Sequence, residues 1–84
     1  MPERYEPVFS AKALEVFLQL SKVRQRKVAK IVYQLATPPF RTPDYFTRDS
    51  TGRALSNVVI GGYLLTYWVD AWPQEVRVID LVEL

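Results

Sequence analysis

The chain has 84 residues with 11 Lys and Arg against 9 Asp and Glu, a net charge of +2, and 49% of it is hydrophobic, enough for one core in a single domain over residues 1–84 with a thin margin of stability. With no cysteine and no histidine, disulfides, thiolate or imidazole metal sites and the Ser-His and Cys-His nucleophile pairs are excluded, which leaves Lys, Arg, Tyr, Asp and Glu for any chemistry. No apolar run reaches the roughly 18 residues that span a bilayer and no signal pattern opens the chain, so a cytoplasmic protein with no membrane association, metal or cofactor is expected.

Arg4 to Phe9 is a short first strand that Pro7 confines to a sheet edge, and Ser10 follows as a helix N-cap. From Ala11 the apolar residues Leu14, Phe17 and Leu18 recur at helical spacing, and Ser21 is a second cap before a longer periodic run. Val28, Ile31, Val32 and Leu35 form the buried stripe of that run. Arg24, Lys27 and Lys30 make an adjoining basic ridge, with Arg26 offset from it. Thr37-Pro38-Pro39 ends the helix. Phe40 to Ala54, with Pro43, Gly52 and many polar residues, is expected to be a surface loop anchored by Phe40, Tyr45 and Phe46. A loop of this length in a compact domain is more often functional than a plain connection. Leu55 to Ile60, Tyr63 to Val69 and Glu75 to Val82 then read as a three-stranded antiparallel meander, rich in β-branched and aromatic residues. Gly61-Gly62 suits a primed two-residue turn, and Asp70 to Gln74 makes the second separator. Repeats and low-complexity segments are absent.

The expected fold is therefore α+β, an amino-terminal helical hairpin packed on an antiparallel β-sheet. On the middle strand, alternation puts Tyr63, Leu65, Tyr67 and Val69 on one face and Leu64, Thr66 and Trp68 on the other. Only one of these faces can receive the helices. Either Trp68 and Trp72 pack over the turn and sheet edge as satellite core, or a partner chain covers the second face.

Charge is distributed unevenly. Residues 10 to 53 hold nine basic groups against three acidic ones, a net of +6, while residues 54 to 84 carry a net of −3. One basic side is expected, suited to phosphates or to an acidic protein segment, although a solvated helix face has the same composition. Arg41, Arg48 and Arg53 on the loop, with Tyr67 and Arg77 on the sheet, are the candidates for a nucleic-acid site. Arginine pairs with phosphate through two N–H groups, and tyrosine stacks on a base or donates its hydroxyl. Arg77 has a structural reading as well, as an ion-pair partner of Glu75 and Asp70, and Arg53 has one as a turn-stabilising surface group.

The order of strand, helical hairpin, Pro-ended loop and meander, with Gly52-Arg53, Gly-Tyr-Leu-Leu-Thr-Tyr-Trp-Val-Asp from Gly62 and Glu-Val-Arg-Val-Ile-Asp from Glu75, resembles the RelE/ParE toxin superfamily of type II toxin-antitoxin systems. The resemblance runs from about Tyr5 to Leu84 and is nearest to a compact subgroup without the usual catalytic carboxy-terminal tail. It implies a toxin neutralised by a cognate antitoxin that wraps its surface. In the RelE-like branch it implies ribosome-dependent cleavage of mRNA, and in the ParE-like branch inhibition of DNA gyrase. Under the first, Arg53, Tyr67 and Arg77 are the catalytic candidates, and Arg41, Arg48 and Arg53 the nucleic-acid-binding ones, with neither metal nor cofactor. The chain departs from the family pattern at three places. Leu64 stands where a basic residue follows the Gly-Tyr turn, Leu55 and Asn57 stand near positions of strand lysines, and the arginine and tyrosine that follow the last strand have no counterpart through Leu84. These departures keep open the alternative of a non-catalytic binding module, either a gyrase-directed inhibitor or a degenerate toxin that only binds an antitoxin.

Overall fold

In the computed structural model, which describes residues 4–84, the elements run β1 (Glu6–Phe9), α1 (Ala11–Gln19), α2 (Lys22–Leu35), β2 (Tyr45–Arg48), β3 (Ala54–Ile60), β4 (Tyr63–Asp70) and β5 (Glu75–Glu83). The strands form one sheet in the order β1-β5-β4-β3-β2. Strands β2 to β5 pair antiparallel, as the meander pattern requires, whereas β1 runs parallel to β5. Pro7 lies on the edge strand β1, where its missing N–H breaks no interior ladder.

Both helices start where their serines place them. The Ser10 hydroxyl accepts from the Ala13 amide at 3.1 Å and donates to the Ile79 carbonyl at 2.9 Å, so one group caps α1 and ties it to β5. The Ser21 hydroxyl accepts from the Arg24 amide at 3.3 Å. Between the helices, the Gln25 side-chain amide donates to the Phe17 and Leu20 carbonyls, both at 3.2 Å, satisfying acceptors that the end of α1 leaves open.

The α2 stripe of Val28, Ile31, Val32 and Leu35 is buried against Val58, Leu65, Tyr67, Val76, Val78 and Leu81 of the sheet. On α1 the buried face differs from the expected one. Ala13 is buried, and Val16, Phe17 and Leu20 pack against the core, while Leu14 and Leu18 are exposed. The small Ala13 side chain lets the helix approach β5 closely, which rotates Leu14 and Leu18 away from it. A bulge in β5 decides which of its residues face inward. Thr66 pairs with Asp80 and Tyr67 with Val78, leaving Ile79 unpaired, so the odd-numbered Leu81 joins the even-numbered Val76 and Val78 on the core side.

The expected loop from Phe40 to Ala54 contains the strand β2, which pairs with β3 from Tyr45 opposite Asn57 to Arg48 opposite Ala54. All four β2 residues are exposed, so no alternation of burial marks the strand in the sequence. All three expected anchors are exposed, although Phe40 still meets Tyr5 edge-on with ring centroids 5.0 Å apart. Asp44 fastens the start of β2 instead, its carboxylate accepting from the Val59 amide at 2.7 Å. Gly61 and Gly62 take φ of +62° and +87° at the β3–β4 turn, the primed geometry their pairing suggests.

Candidate nucleic-acid interface

The helices cover one face of the sheet, and cross-strand register assigns side chains to the other. The uncovered face divides into three bands. At one end Val59, Leu64 and Val82 lie in register as an apolar row. In the middle Tyr45, Asn57, Thr66 and Asp80 form a polar row. At the far end Trp68 lies opposite Arg77, and Arg53 reaches over from the start of β3.

Asn57 is the hub of the middle band and is only 3% exposed. It accepts from the Thr66 hydroxyl at 2.7 Å, and its amide donates to the Thr47 hydroxyl at 3.0 Å and to the Tyr45 carbonyl at 3.4 Å. It therefore stitches β2, β3 and β4 together. The departures at Leu64 and Asn57 have a shared structural consequence: positions expected to carry charge instead hold an apolar row and a satisfied polar network.

At the far end the Arg53 guanidinium stacks on the Trp68 ring at 3.9 Å from its centroid, and that of Arg77 lies 5.7 Å from the same ring. An exposed stack of this kind contributes about 0.5–1 kcal/mol. The two arginines are held differently. Arg77 Nη2 lies 2.7 Å from Glu75 Oε1, a close ion pair without the alignment of a hydrogen bond, and Arg77 Nε is 3.4 Å from Asp70 Oδ2. Asp70 and Glu75 face each other across β4 and β5, so Arg77 relieves the repulsion of two opposed carboxylates. The expected ion pairs of Arg77 are thus present. The Arg53 side chain rests on the ring with no ion pair among the described residues, its charge also acting on the Asp49 carboxylate, and its position is set through the backbone.

That backbone is fixed by Asp49. Its carboxylate accepts from the Thr51 hydroxyl at 2.6 Å, the Thr51 amide at 2.9 Å and the Arg53 amide at 3.0 Å. The Thr51 hydroxyl is foremost in holding the Asp49 carboxyl below its usual range, with the Arg53 and Thr51 amides acting in the same sense against partial desolvation. Because the folded value is depressed, the turn's contribution is present above the unfolded carboxylate value and is lost as pH falls through the folded one. Acidification from about pH 5 to about pH 2 should therefore lower the protection of the Thr51 and Arg53 amides relative to their intrinsic exchange rates, while Asp49→Asn abolishes that inflection. Amide exchange followed by NMR checks this, and identical profiles in the two proteins would exclude Asp49 as the lock.

The remaining candidates lie elsewhere. Tyr67 is 4% exposed and belongs to the core beneath the helices, on the opposite face from Arg53 and Arg77. Burial raises its hydroxyl above the usual tyrosine range, Arg41 opposing and Asp44 adding to the shift. The hydroxyl is thus held protonated, suited to donate and not to take up a proton. Arg41 faces Tyr67 electrostatically, and Arg48 closes the β2–β3 turn by donating to the Gly52 carbonyl at 2.8 Å. The structure brings Arg53 and Arg77 together and leaves Tyr67, Arg41 and Arg48 apart from them. Trp68 joins the two arginines, a role hidden in the sequence, where it reads either as satellite core or as part of a face for a partner chain. The signal for it was its alternation with the inward Tyr67. Trp72 does not act as satellite core either; it is 86% exposed on the β4–β5 turn.

The far band offers two guanidiniums and an indole, suited to phosphate and base. Among the described residues, no three acidic side chains cluster to hold a metal ion and no helix is long and apolar enough to cross a membrane.

No family model matches this sequence, and no curated protein is significantly similar to it. Solved structures are similar in fold. A chain of the Mycobacterium tuberculosis RelBE2 toxin-antitoxin complex superposes with a TM-score of 0.78 at 18% identity, covering 98% of this chain and 100% of that one. A chain of the archaeal RelE-RelB complex from Pyrococcus horikoshii gives 0.69 at 15% identity, with 96% of each chain covered. The isolated E. coli RelE toxin gives 0.67 at 21% identity, covering 94% of this chain and 83% of that one. Two helices on a mostly antiparallel five-stranded sheet, matched along nearly its whole length, give this chain the RelE toxin fold.

Proposed function

We propose that this chain is the toxin of a type II toxin-antitoxin pair and acts in the cytoplasm on the translation machinery, holding RNA against the uncovered sheet face. The observation that carries this reading is the Arg53–Trp68–Arg77 row on a RelE fold, which joins two cations and a stacking surface on the face that the helices leave open. Ribosome-dependent cleavage of mRNA is the activity proposed for it. Arg53 and Arg77 stabilise the phosphate, and the Tyr67 hydroxyl, protonated and on the far side of the sheet, supports the fold. A RelB-type antitoxin is the proposed partner, as in the similar complexes. Leu14 and Tyr33 border an apolar groove of about 340 Å³, also lined by Phe9, Phe17 and Val32, and such a surface suits an antitoxin segment.

A second reading is favoured by Leu64 and Asn57. With an apolar row and a saturated polar network at the family's basic positions, the chain binds its target or antitoxin without cutting RNA.

Induced expression without any partner separates the two. Growth arrest with mRNA fragments is the expected result, with Arg53→Ala weakening RNA binding by about tenfold, the scale of one charge-assisted contact. Arrest with broken DNA would instead indicate gyrase, and unimpaired growth would leave only the inert binding module.

A further inference from the structure

Trp68 lies between two guanidiniums that are anchored very differently, and this asymmetry has a functional meaning. Arg77, on the strand opposite, is gripped by Asp70 and Glu75 on the one side and leans toward the ring on the other. Arg53 covers the ring at stacking distance, is exposed, and makes no ion pair among the described residues, although its charge is felt by the Asp49 carboxylate. A ligand that displaces Arg53 therefore breaks no ion pair and gains an aromatic face, whereas displacing Arg77 would strand two carboxylates. We infer that Trp68 is a base-stacking platform for single-stranded RNA, and that Arg53 is its removable cover, which leaves the ring when a base arrives and pairs with the phosphate next to it. This rests on the RNA-binding reading above and adds to it the class of RNA and the residue that selects it.

Single strands are specified because a base can reach the ring only when it is unstacked and splayed from its neighbours. The chemistry also separates this ligand from an acidic peptide. Carboxylates would engage Arg53 and Arg77 but have no planar face to offer the indole.

The two tryptophans permit a direct test. Trp72→Phe, a change on the exposed turn, leaves Trp68 as the sole indole emitter. Titrating this protein with oligoadenylate should quench its fluorescence strongly, while polyphosphate and polyglutamate, which can draw Arg53 off the ring but have no base to stack on it, should change the emission far less. Trp68→Leu should weaken oligoadenylate binding about tenfold, as loss of one stacked base predicts, and leave polyphosphate binding unaltered. Trp68→Phe should recover part of that loss, which a purely structural role would not require, and circular dichroism confirms that each variant is folded. Arg53→Ala should weaken binding of both polymers yet leave the quenching by bound oligoadenylate intact. Equal quenching by polyphosphate or polyglutamate, binding of oligoadenylate with no quenching, or no binding of it would each overturn the inference. If Trp68→Leu arrests growth and yields mRNA fragments as the parent does, the platform fails while the toxin reading stands; if the parent does neither, the toxin reading itself fails.

Discussion

Replacing Leu65 with alanine will cost about 2–5 kcal/mol, the range for emptying a fully buried leucine site. Leu65 is 0% exposed and lies in register between Val58 on β3 and Leu81 on β5, at the centre of the sheet face that receives α2. Its neighbours belong to a pleated sheet pinned by hydrogen bonds on both sides, so they cannot collapse into the cavity. A chain of this length has a total stability of only about 4–13 kcal/mol. The substitution thus removes a large share of it, and some of the protein will be unfolded before any denaturant is added if the total lies near the low end. Urea unfolding followed by circular dichroism should show a lower midpoint with an unchanged slope. Leu65→Met, which keeps the volume, should cost less than about 1.5 kcal/mol. A loss below about 1 kcal/mol in the alanine variant would mean that α2 does not pack over the middle strand as described.

Asn57→Lys will be the most damaging change on the uncovered face, although a lysine there would bring the strand closer to the family pattern. The side chain is buried between β2 and β4, and all its polar atoms are engaged. An ammonium there would strand the Thr66 hydroxyl and bring a charge into a buried site whose neighbouring carboxylates are already engaged, Asp44 by the Val59 amide and Asp80 by Lys12. A cost of about 3–5 kcal/mol is expected, the scale of an uncompensated buried charge. Leu64→Lys, one strand over on the half-buried apolar row, should cost far less because its long side chain can reach water. Thermal unfolding of the two variants measures the difference. If both are equally tolerated, β2 does not close over Asn57, and the basic positions of the family remain open to this chain.

The legible parts of this protein were those whose burial repeats along the chain. The α2 stripe, the Gly61-Gly62 turn and the meander all carry a period or a backbone requirement that is local, so few residues suffice to state it. The α1 face was read less well because Ala13, a small residue that carries little hydrophobic signal, is the one that allows close approach to β5. β2 left no trace of alternation because water reaches both of its faces. The site was half legible. Arginine content indicated a basic side on the helices and loop, and the spacing of Arg77 from Asp70 and Glu75 indicated an ion pair on the sheet, but Tyr67 was grouped with Arg53 and Arg77 although it belongs to the opposite face.

By itself the sequence determined the class of the fold and the order of every element except β2, the two serine caps, the edge position of β1 and the absence of thiol and imidazole chemistry, since each depends on residue type or on neighbours within a few positions. The tertiary structure alone decided that β1 runs parallel to β5, that a bulge at Ile79 turns Leu81 inward, and that Arg53 comes to rest on Trp68. These depend on register between strands distant in the chain, and shifting a strand by one residue exchanges its two faces. A sequence records which side chains alternate. Only the paired sheet settles which of the two sets meets the helices and which is left to meet a ligand.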